Sequence, residues 1–331
     1  MNNNTLKNLL IEYDKKKIRA EEMAQREKQK IYDEFPALSE IDQKLSSLAL
    51  STMKELALNN NEKLLKDFNK KIEELKKEKE KILASIGDRA QLMQPQYECK
   101  KCKDTGYILD GNSTKMCSCL TQKIYDIEYN KSNIHNLEKQ NFKNFNINLY
   151  STKVDPQKYE SDISPRENIE LILKICKDFI QHFDDVEEKN LLFTGKTGLG
   201  KTFLSSCIAN ELLKQGKTVL YQTASVMLDT IIGYRFGKPN IPSDIYDHLL
   251  NVDLLIIDDL GTEGVNNMKL VELFNIINSR LLNTHKSTKT IISTNLSLQS
   301  LFETYDERIV SRLVGNYHIC YFFGEDIRFT K

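Results

Sequence analysis

The segment at residues 190–202, NLLFTGKTGLGKT, has the residue types and spacing of a phosphate-binding loop. A short apolar run precedes the glycines and an amphipathic stretch follows them, so they stand between a predicted strand and a predicted helix. Glycines allow backbone N–H groups to approach phosphate oxygens closely, while the Lys reaches the outer phosphates and the Thr hydroxyl binds Mg²⁺. The predicted nucleotide-binding residues are Gly195, Lys196, Thr197, Gly198, Leu199, Gly200, Lys201 and Thr202.

Two carboxylates end a second apolar run downstream. Residues 252–259 read VDLLIIDD, which predicts a buried strand that ends in Asp258 and Asp259. A polar turn is the ordinary explanation of such an ending, but the distance from the glycine loop favours a paired site. We predict that Asp258 holds the water bound to Mg²⁺ and that Asp259 orients the attacking water. Since phosphoryl transfer depends mainly on positioning and charge neutralisation, these groups predict ATP hydrolysis.

Further polar groups follow the same pattern. The predicted strand at residues 289–295 ends in Asn295, whose amide would hold a water near the γ-phosphate if the strand neighbours the other two. Arg308 and Arg312 are four residues apart and so share one face of a predicted helix, where surface ion pairing is the ordinary alternative. Arg328, near the end of the sequence, is a further cation for the phosphates.

Four of the seven cysteines lie within a short window. Two form a C-x₂-C pair and two a tighter C-x-C pair, with glycines between them that return the chain. Four thiolates suit one tetrahedral Zn²⁺, although His135 is an alternative ligand in place of one residue of the second pair. We therefore predict a zinc site at Cys99, Cys102, Cys117 and Cys119, and expect Cys176, Cys207 and Cys320 to be buried thiols.

The composition is that of a globular protein with no net charge. The 331 residues carry 47 basic and 47 acidic side chains, which gives no support to a general nucleic-acid coating role. The N-terminal segment lacks the apolar run of a signal peptide, and no stretch of the sequence is apolar enough to span a bilayer. We expect a cytoplasmic protein with no membrane contact.

The elements that would position these groups fall into four segments. Residues 1–92 have long-helix composition, with seams through Leu6, Leu10, Tyr13 and Ala20, and from Leu65 to Ile86. Pro36 breaks the first helix, so we predict helices folded back on one another that dock a partner protein. The predicted domains are residues 1–92 (helical, partner-binding), 93–125 (zinc module), 126–160 (linker) and 161–331 (nucleotide-binding α/β core with a parallel sheet).

The order of motifs over residues 160–331 resembles that of the AAA+ ATPases. More narrowly, IDDLGTE at residues 257–263 is similar to the D-D-x-G-x-E box of the DnaC/DnaI helicase loaders and the IstB transposition ATPases. The resemblance implies an AAA+ core without a C-terminal helical lid. It also implies a role for Glu263 near the water, Arg312 as an arginine finger donated to a neighbouring subunit with Arg308 as its companion, and Arg328 as a second sensor.

The front of the chain distinguishes between these two relatives. The cysteine segment from residue 97 to 119 resembles the cysteine box of DnaI-type loaders, and residues 142–145, FKNF, resemble the aromatic linker that precedes the ATPase core. The resemblance implies a helicase loader that binds the hexameric replicative DNA helicase, ATP and single-stranded DNA, and that self-associates. Its DNA contacts would come from the basic and aromatic tract of Tyr234, Arg235, Phe236 and Lys238, which equally suits an ordinary helix end.

Two other functions stay open. An IstB-like ATPase that assists a transposase would share the core, but the cysteine box and the long helices are not expected of it. A nucleotide-switched adaptor with negligible turnover is consistent with Asp259, which is one methylene shorter than the Glu that many AAA+ proteins have there.

Overall fold

The computed structural model describes residues 3–58, 62–111, 113–129, 139–238, 241, 244–264, 266–283 and 286–329, apart from the side chains of residues 3–5, 52–58 and 62–67. The chain divides into two compact units, one of residues 7–115 and one of residues 1–6 with 116–331. The predicted turn at residues 59–61 and the alternative ligand His135 lie outside the described residues, as does the side chain of Leu65.

The N-terminal unit consists mainly of three long helices. They are α1 (Asn3–Glu34), α2 (Pro36–Leu58) and α3 (Glu62–Ile86), followed by a 3-10 turn at Gly87–Met93 and by the short strands β1 (Tyr107–Asp110) and β2 (Ser113–Met116). Pro36 begins α2, because proline is tolerated in the first turn of a helix but not in its interior. The helical N-terminal region is therefore confirmed, with the break at the predicted residue.

Polar contacts hold the three helices together. The carboxylate of Asp42 in α2 accepts from the Tyr32 hydroxyl of α1 at 2.5 Å and from the Lys79 ammonium of α3 at 2.5 Å. Lys79 is the polar residue that interrupts the apolar seam of α3. Its ion pair with Asp42 explains why a lysine stands at this position. The predicted seam of α1 is displaced, since Tyr13 is buried as expected but the other buried positions are Leu9, Ala24 and Ile31.

The second unit is a three-layer α/β domain. Its five strands are all parallel, in the spatial order β4-β5-β6-β3-β7. The strands are β3 (Asn190–Gly195), β4 (Val219–Thr223), β5 (Leu254–Leu260), β6 (Lys289–Thr294) and β7 (Tyr317–Phe322). The three inner strands β3, β5 and β6 are almost wholly buried, as expected for a parallel sheet covered on both faces, whereas the edge strand β7 is partly exposed. The parallel α/β core predicted from the motifs is confirmed.

Helices cover both faces of this sheet. The helices of the unit are α4 (Ser118–Glu128), α5 (Pro156–Tyr159), α6 (Pro165–Gln181), α7 (Lys201–Lys214), α8 (Ala224–Arg235), α9 (Ile245–Asn251), α10 (Asn267–Leu281), α11 (Leu298–Thr304) and α12 (Glu307–Asn316). One core cluster joins α6 and α7 to one face, and the other joins α8 to α12 to the opposite face. No helix follows β7 within the described residues, which end at Phe329.

Helix α4, directly after the cysteine segment, packs on the edge of the sheet. The Gln122 amide donates to the Val219 carbonyl at 3.0 Å, and its oxygen accepts from the Val219 N–H at 2.7 Å. Tyr125 and Tyr129 are buried in the same core cluster as α8 and α9. Because an edge strand has unpaired backbone groups, this amide satisfies β4 in the way that a further strand would.

Candidate nucleotide site

The glycine loop lies between β3 and α7, as predicted, and borders a cavity of about 520 Å³. Gly198 and Gly200 both have positive φ, at 74° and 89°. A Cβ on Gly198 would lie 2.1 Å from the Asp326 carboxyl group, so only glycine fits there. The cavity is lined by Gln140, Thr197, Gly198, Leu199, Gly200, Lys201, Thr202, Phe203, Asp259, Asn295, Ile327 and Arg328.

Lys201 is the buried cation of the site. Its ammonium donates to the carbonyls of Gly195 and Lys196 at 2.6 and 2.7 Å, and to the Asn295 side-chain oxygen at 2.8 Å. Burial lowers the pKa of Lys201 to about 8, against the opposing effect of the carboxylates of Asp259 and Asp258. Asn295 directly follows β6, so the parallel sheet brings it to the glycine loop as the sequence indicated.

Asp258 is buried and accepts three hydrogen bonds. The Tyr221 hydroxyl donates to its Oδ2 at 2.7 Å, the Ser293 hydroxyl donates to its Oδ1, and the Asp259 N–H donates to Oδ1 at 3.1 Å. Tyr221 and Ser293 lie on the strands to either side of β5. No motif in the sequence marks these two hydroxyls, because their role depends on which strands become neighbours.

Asp259 lines the cavity from a left-handed backbone position. Its φ is 54°, which is uncommon for a residue other than glycine, and it is only partly buried. Burial, with a further contribution from the neighbouring Asp258 carboxylate, raises the pKa of Asp259. The site therefore holds one carboxylate fixed by hydrogen bonds and a second that borders the cavity.

Among the described residues, the lining of the cavity does not include the predicted site residues Gly195, Lys196, Asp258, Glu263, Arg308 and Arg312. Glu263 is buried, and it accepts from the Gly261 N–H at 2.8 Å and from the Tyr305 hydroxyl. It thus joins the loop after β5 to the C-terminal end of α11. Thr202, Asp259, Asn295 and Arg328 are brought together with the glycine loop.

The two arginines of α12 share one aromatic ring. The guanidinium carbons of Arg308 and Arg312 lie 5.2 and 4.7 Å from the centroid of the Phe274 ring in α10. Arg312 also donates to the Asn278 side chain at 2.7 Å, and Arg308 pairs with Asp306 at 2.9 Å. Both cations are therefore held on the outside of α10, at a distance from the chain's own cavity.

Arg328 reaches the cavity as an ion pair with Asp326, at 2.5 Å between the nearest nitrogen and oxygen. The Ile327 N–H donates to the Gly198 carbonyl at 3.0 Å, so this C-terminal segment is bonded to the glycine loop itself. Sequence reasoning missed Ile327 and Asp326, because an Ile and an Asp after a strand carry no distinctive signal.

The aromatic tract at residues 142–145 also lies by the loop. The Phe145 ring stacks on Tyr150 with centroids 5.9 Å apart, and the Tyr150 hydroxyl donates to the Leu199 carbonyl at 2.9 Å. Phe145 also packs against Phe203, which lines the cavity. These rings form an apolar surface beside a polar phosphate loop, which suits a purine base next to its phosphates.

The four cysteines of the N-terminal segment converge. Their sulfur atoms all lie within 4.8 Å of one another, with Cys102 and Cys117 buried and Cys99 and Cys119 half-buried. The Asp104 carboxylate accepts from the Cys99 N–H at 2.8 Å and fixes the turn between the first two cysteines. Four sulfurs at this spacing suit a tetrahedral Zn²⁺. Cys176, Cys207 and Cys320 are buried in the core, as predicted.

The tract predicted to contact DNA is divided. Arg235 pairs with the buried Glu272 at 2.5 Å and lies over the Tyr246 ring, so its charge is already neutralised. Phe236 is 68% exposed, and Lys238 is exposed as well. Tyr234 is exposed too, so Arg235 is the residue of the tract whose charge is engaged by a buried partner.

No helix among the described residues has the length and apolar character to cross a membrane. A model of the family described as "IstB-like ATP binding protein" matches residues 140–330. The chain is similar to the proteins named replicative helicase loader DnaC from Buchnera aphidicola subsp. Acyrthosiphon pisum (31% identity over 147 residues) and Escherichia coli K12 (28% over 145 residues). In both cases the match covers 44% of this chain and 58% of the relative, so the chain spans little more than half of their length.

Among solved structures, the chain is similar to one described as the crystal structure of the DnaC helicase loader. The identity is 22% and the TM-score 0.41, over 54% of this chain and 96% of that one.

Proposed function

The chain belongs to the family of IstB-like ATP-binding proteins, and on this premise we propose that it is an ATPase that loads the replicative DNA helicase onto single-stranded DNA. The observation that carries the ATPase part is the convergence of Lys201, Thr202, Asp259 and Asn295 on one cavity. The loader part is supported by the names of the relatives and by the cysteine cluster in front of the core.

The phosphates of ATP would lie against the backbone N–H groups of the glycine loop. Lys201 would exchange its bonds to the loop carbonyls for bonds to phosphate oxygens, which carry more charge. Thr202 and Asp258 supply the oxygen ligands that Mg²⁺ prefers, directly or through water. The bound Mg²⁺ would neutralise charge on the transferred phosphoryl group. The site fits this metal and this substrate.

Hydrolysis requires a water positioned on the γ-phosphate. Asp259 is the carboxylate that borders the cavity, and we assign it the task of orienting that water, with the Asn295 amide on the other side. Arg328 would bind the phosphates from the C-terminal segment. Arg312, held outside its own cavity, would act on the ATP of a neighbouring subunit, which requires self-association.

The remaining assignments concern the residues in front of the ATP-binding core. We propose that α1 to α3 and a zinc module at the four cysteines bind the hexameric helicase, since all of them precede the residues 140–330 that match the ATP-binding family. Tyr234, Phe236 and Lys238 are exposed residues of the DNA tract, and stacking together with phosphate contact is the mode they would use.

Co-purification with the host's replicative helicase tests the loader assignment. We expect the full-length chain to retain the helicase with ATP present and to release it during turnover, and Asp259→Asn to retain it without release. Capture of a transposase in place of the helicase would favour the IstB-like alternative. Retention of helicase with no phosphate release, with or without single-stranded DNA, would favour the switched adaptor.

A further inference from the structure

Three neighbouring strands place a row of hydrogen-bonded side chains behind the nucleotide cavity. Tyr221 on β4, Asp258 on β5 and Ser293 on β6 are 1%, 4% and 0% exposed. The hydroxyl of each outer residue donates to a different oxygen of the central carboxylate. Asp258 is thus held from both sides of its strand, and its two oxygens are not interchangeable.

The same hydroxyl of Ser293 also contacts the next residue. The Asp259 N–H donates to Ser293 Oγ at 3.1 Å as well as to Asp258 Oδ1 at 3.1 Å. Asp259 has a left-handed backbone, which is unfavourable for a residue with a side chain unless the surroundings enforce it. Ser293 therefore helps to fix the backbone that presents Asp259 to the cavity.

Hydrogen-bond capacity limits what Asp258 can do. An ionised carboxylate has about four acceptor positions. Tyr221, Ser293 and the Asp259 N–H occupy three of them, which leaves roughly one for a ligand. A carboxylate engaged in this way is a weak direct ligand but a good acceptor for one metal-bound water, and Mg²⁺ keeps several of its waters in protein sites.

We propose that Tyr221 and Ser293 are positioning residues for ATP hydrolysis: both aim Asp258 at a Mg²⁺-bound water, and Ser293 also holds Asp259 in its left-handed conformation. The proposal rests on the proposed ATPase function. A buried carboxylate needs donors in any protein, so a role limited to stability is the alternative. A positioning role and a purely stabilising role predict different responses of ATP binding to Mg²⁺ when the hydroxyl is removed.

The test measures how strongly Mg²⁺ tightens ATP binding, by calorimetry on the full-length chain with ATP in EDTA and at increasing Mg²⁺. In Tyr221→Phe and Ser293→Ala we expect ATP binding in EDTA to match the wild type. The Mg²⁺ concentration at half-effect should rise about tenfold to 100-fold, the loss expected for one hydrogen bond to a charged group. Ser293→Ala should also lower kcat, because it frees the backbone of Asp259.

Two matched variants remove buried hydroxyls elsewhere. Tyr317→Phe changes a buried tyrosine on β7, and Ser205→Ala changes a buried serine on α7 whose hydroxyl lacks a partner within the described structure. Both should keep the wild-type Mg²⁺ midpoint. Thermal unfolding of all four variants reports any loss of stability separately, at a temperature where each is folded.

The outcomes separate the two proposals. If Tyr221→Phe and Ser293→Ala lower only the melting temperature and keep the wild-type Mg²⁺ midpoint, the positioning role is overturned while the ATPase proposal stands. If one variant does not fold, the midpoint of the other decides. If the wild type binds no ATP at any Mg²⁺ concentration, the ATPase proposal fails, and the positioning role fails with it.

Discussion

At the scale of single residues, Lys201 determines how ATP binding responds to pH. Its pKa near 8 means that the empty site loses the ammonium charge as the pH rises through that value. Bound phosphate favours the charged form, so binding takes up a proton in this range and weakens with increasing pH.

We therefore predict that ATP affinity is nearly constant below pH 7.5 and that it falls about tenfold from pH 8 to slightly above pH 9. Titration with a fluorescent ATP analogue from pH 7 to 9.5 measures it. Lys201→Arg is the control, because a guanidinium stays protonated throughout this pH range. The ATP affinity of this variant should therefore not change with pH, even if it differs from that of the wild type. A flat wild-type profile would contradict the role of Lys201.

Two of the three acidic residues of the D-D-x-G-x-E box, Asp259 and Glu263, have different surroundings and should behave differently. Asp259 borders the cavity, whereas Glu263 is bonded to Gly261 and Tyr305. We predict that Asp259→Asn lowers kcat by about 100-fold or more with ATP binding retained.

Glu263→Gln should mainly lower the melting temperature, because a neutral amide makes weaker hydrogen bonds than a carboxylate to the Gly261 N–H and the Tyr305 hydroxyl. Single-turnover hydrolysis and thermal unfolding of both variants are the measurements. Loss of hydrolysis in Glu263→Gln at unchanged stability would instead assign the water to Glu263.

At the scale of elements, α4 is attached to the edge strand β4 through Gln122. We predict that Gln122→Ala lowers the free energy of unfolding of the second unit by about 1–3 kcal/mol, since two buried backbone groups of Val219 lose these bonds. Denaturant unfolding measures the change. Lys123→Ala, an exposed position on the same helix, is the control and should stay within about 0.5 kcal/mol of the wild type.

What the sequence predicted well is local. Strand, glycine loop and helix are contiguous, and parallel strands place their carboxyl ends together, so Lys201, Asp259 and Asn295 could be assembled from the chain alone. The contacts of Gln122 with Val219, of Asp326 with Gly198 and of Tyr221 with Asp258 join residues 37 to 128 positions apart. No periodicity or motif encodes such pairs, because they depend on strand order and on loop paths.

At the scale of the whole molecule, the four converging cysteines predict about one zinc ion per chain. Cys102→Ser should lose the metal and lower the melting temperature, whereas Cys176→Ser, at a buried thiol in the other unit, should keep it. Metal analysis of the purified chain gives the stoichiometry. Equal zinc content in the two variants would exclude the cluster as the site.

Helicase loading and self-association both presuppose that the cavity at the glycine loop binds ATP. Calorimetric titration of the full-length chain with ATP and Mg²⁺ tests this directly. We predict saturable binding of about one nucleotide per chain that is lost in Lys201→Ala, because Lys201 is the buried cation among the described residues that line the cavity. Absence of binding to the wild type, or equal binding to Lys201→Ala, would contradict the account.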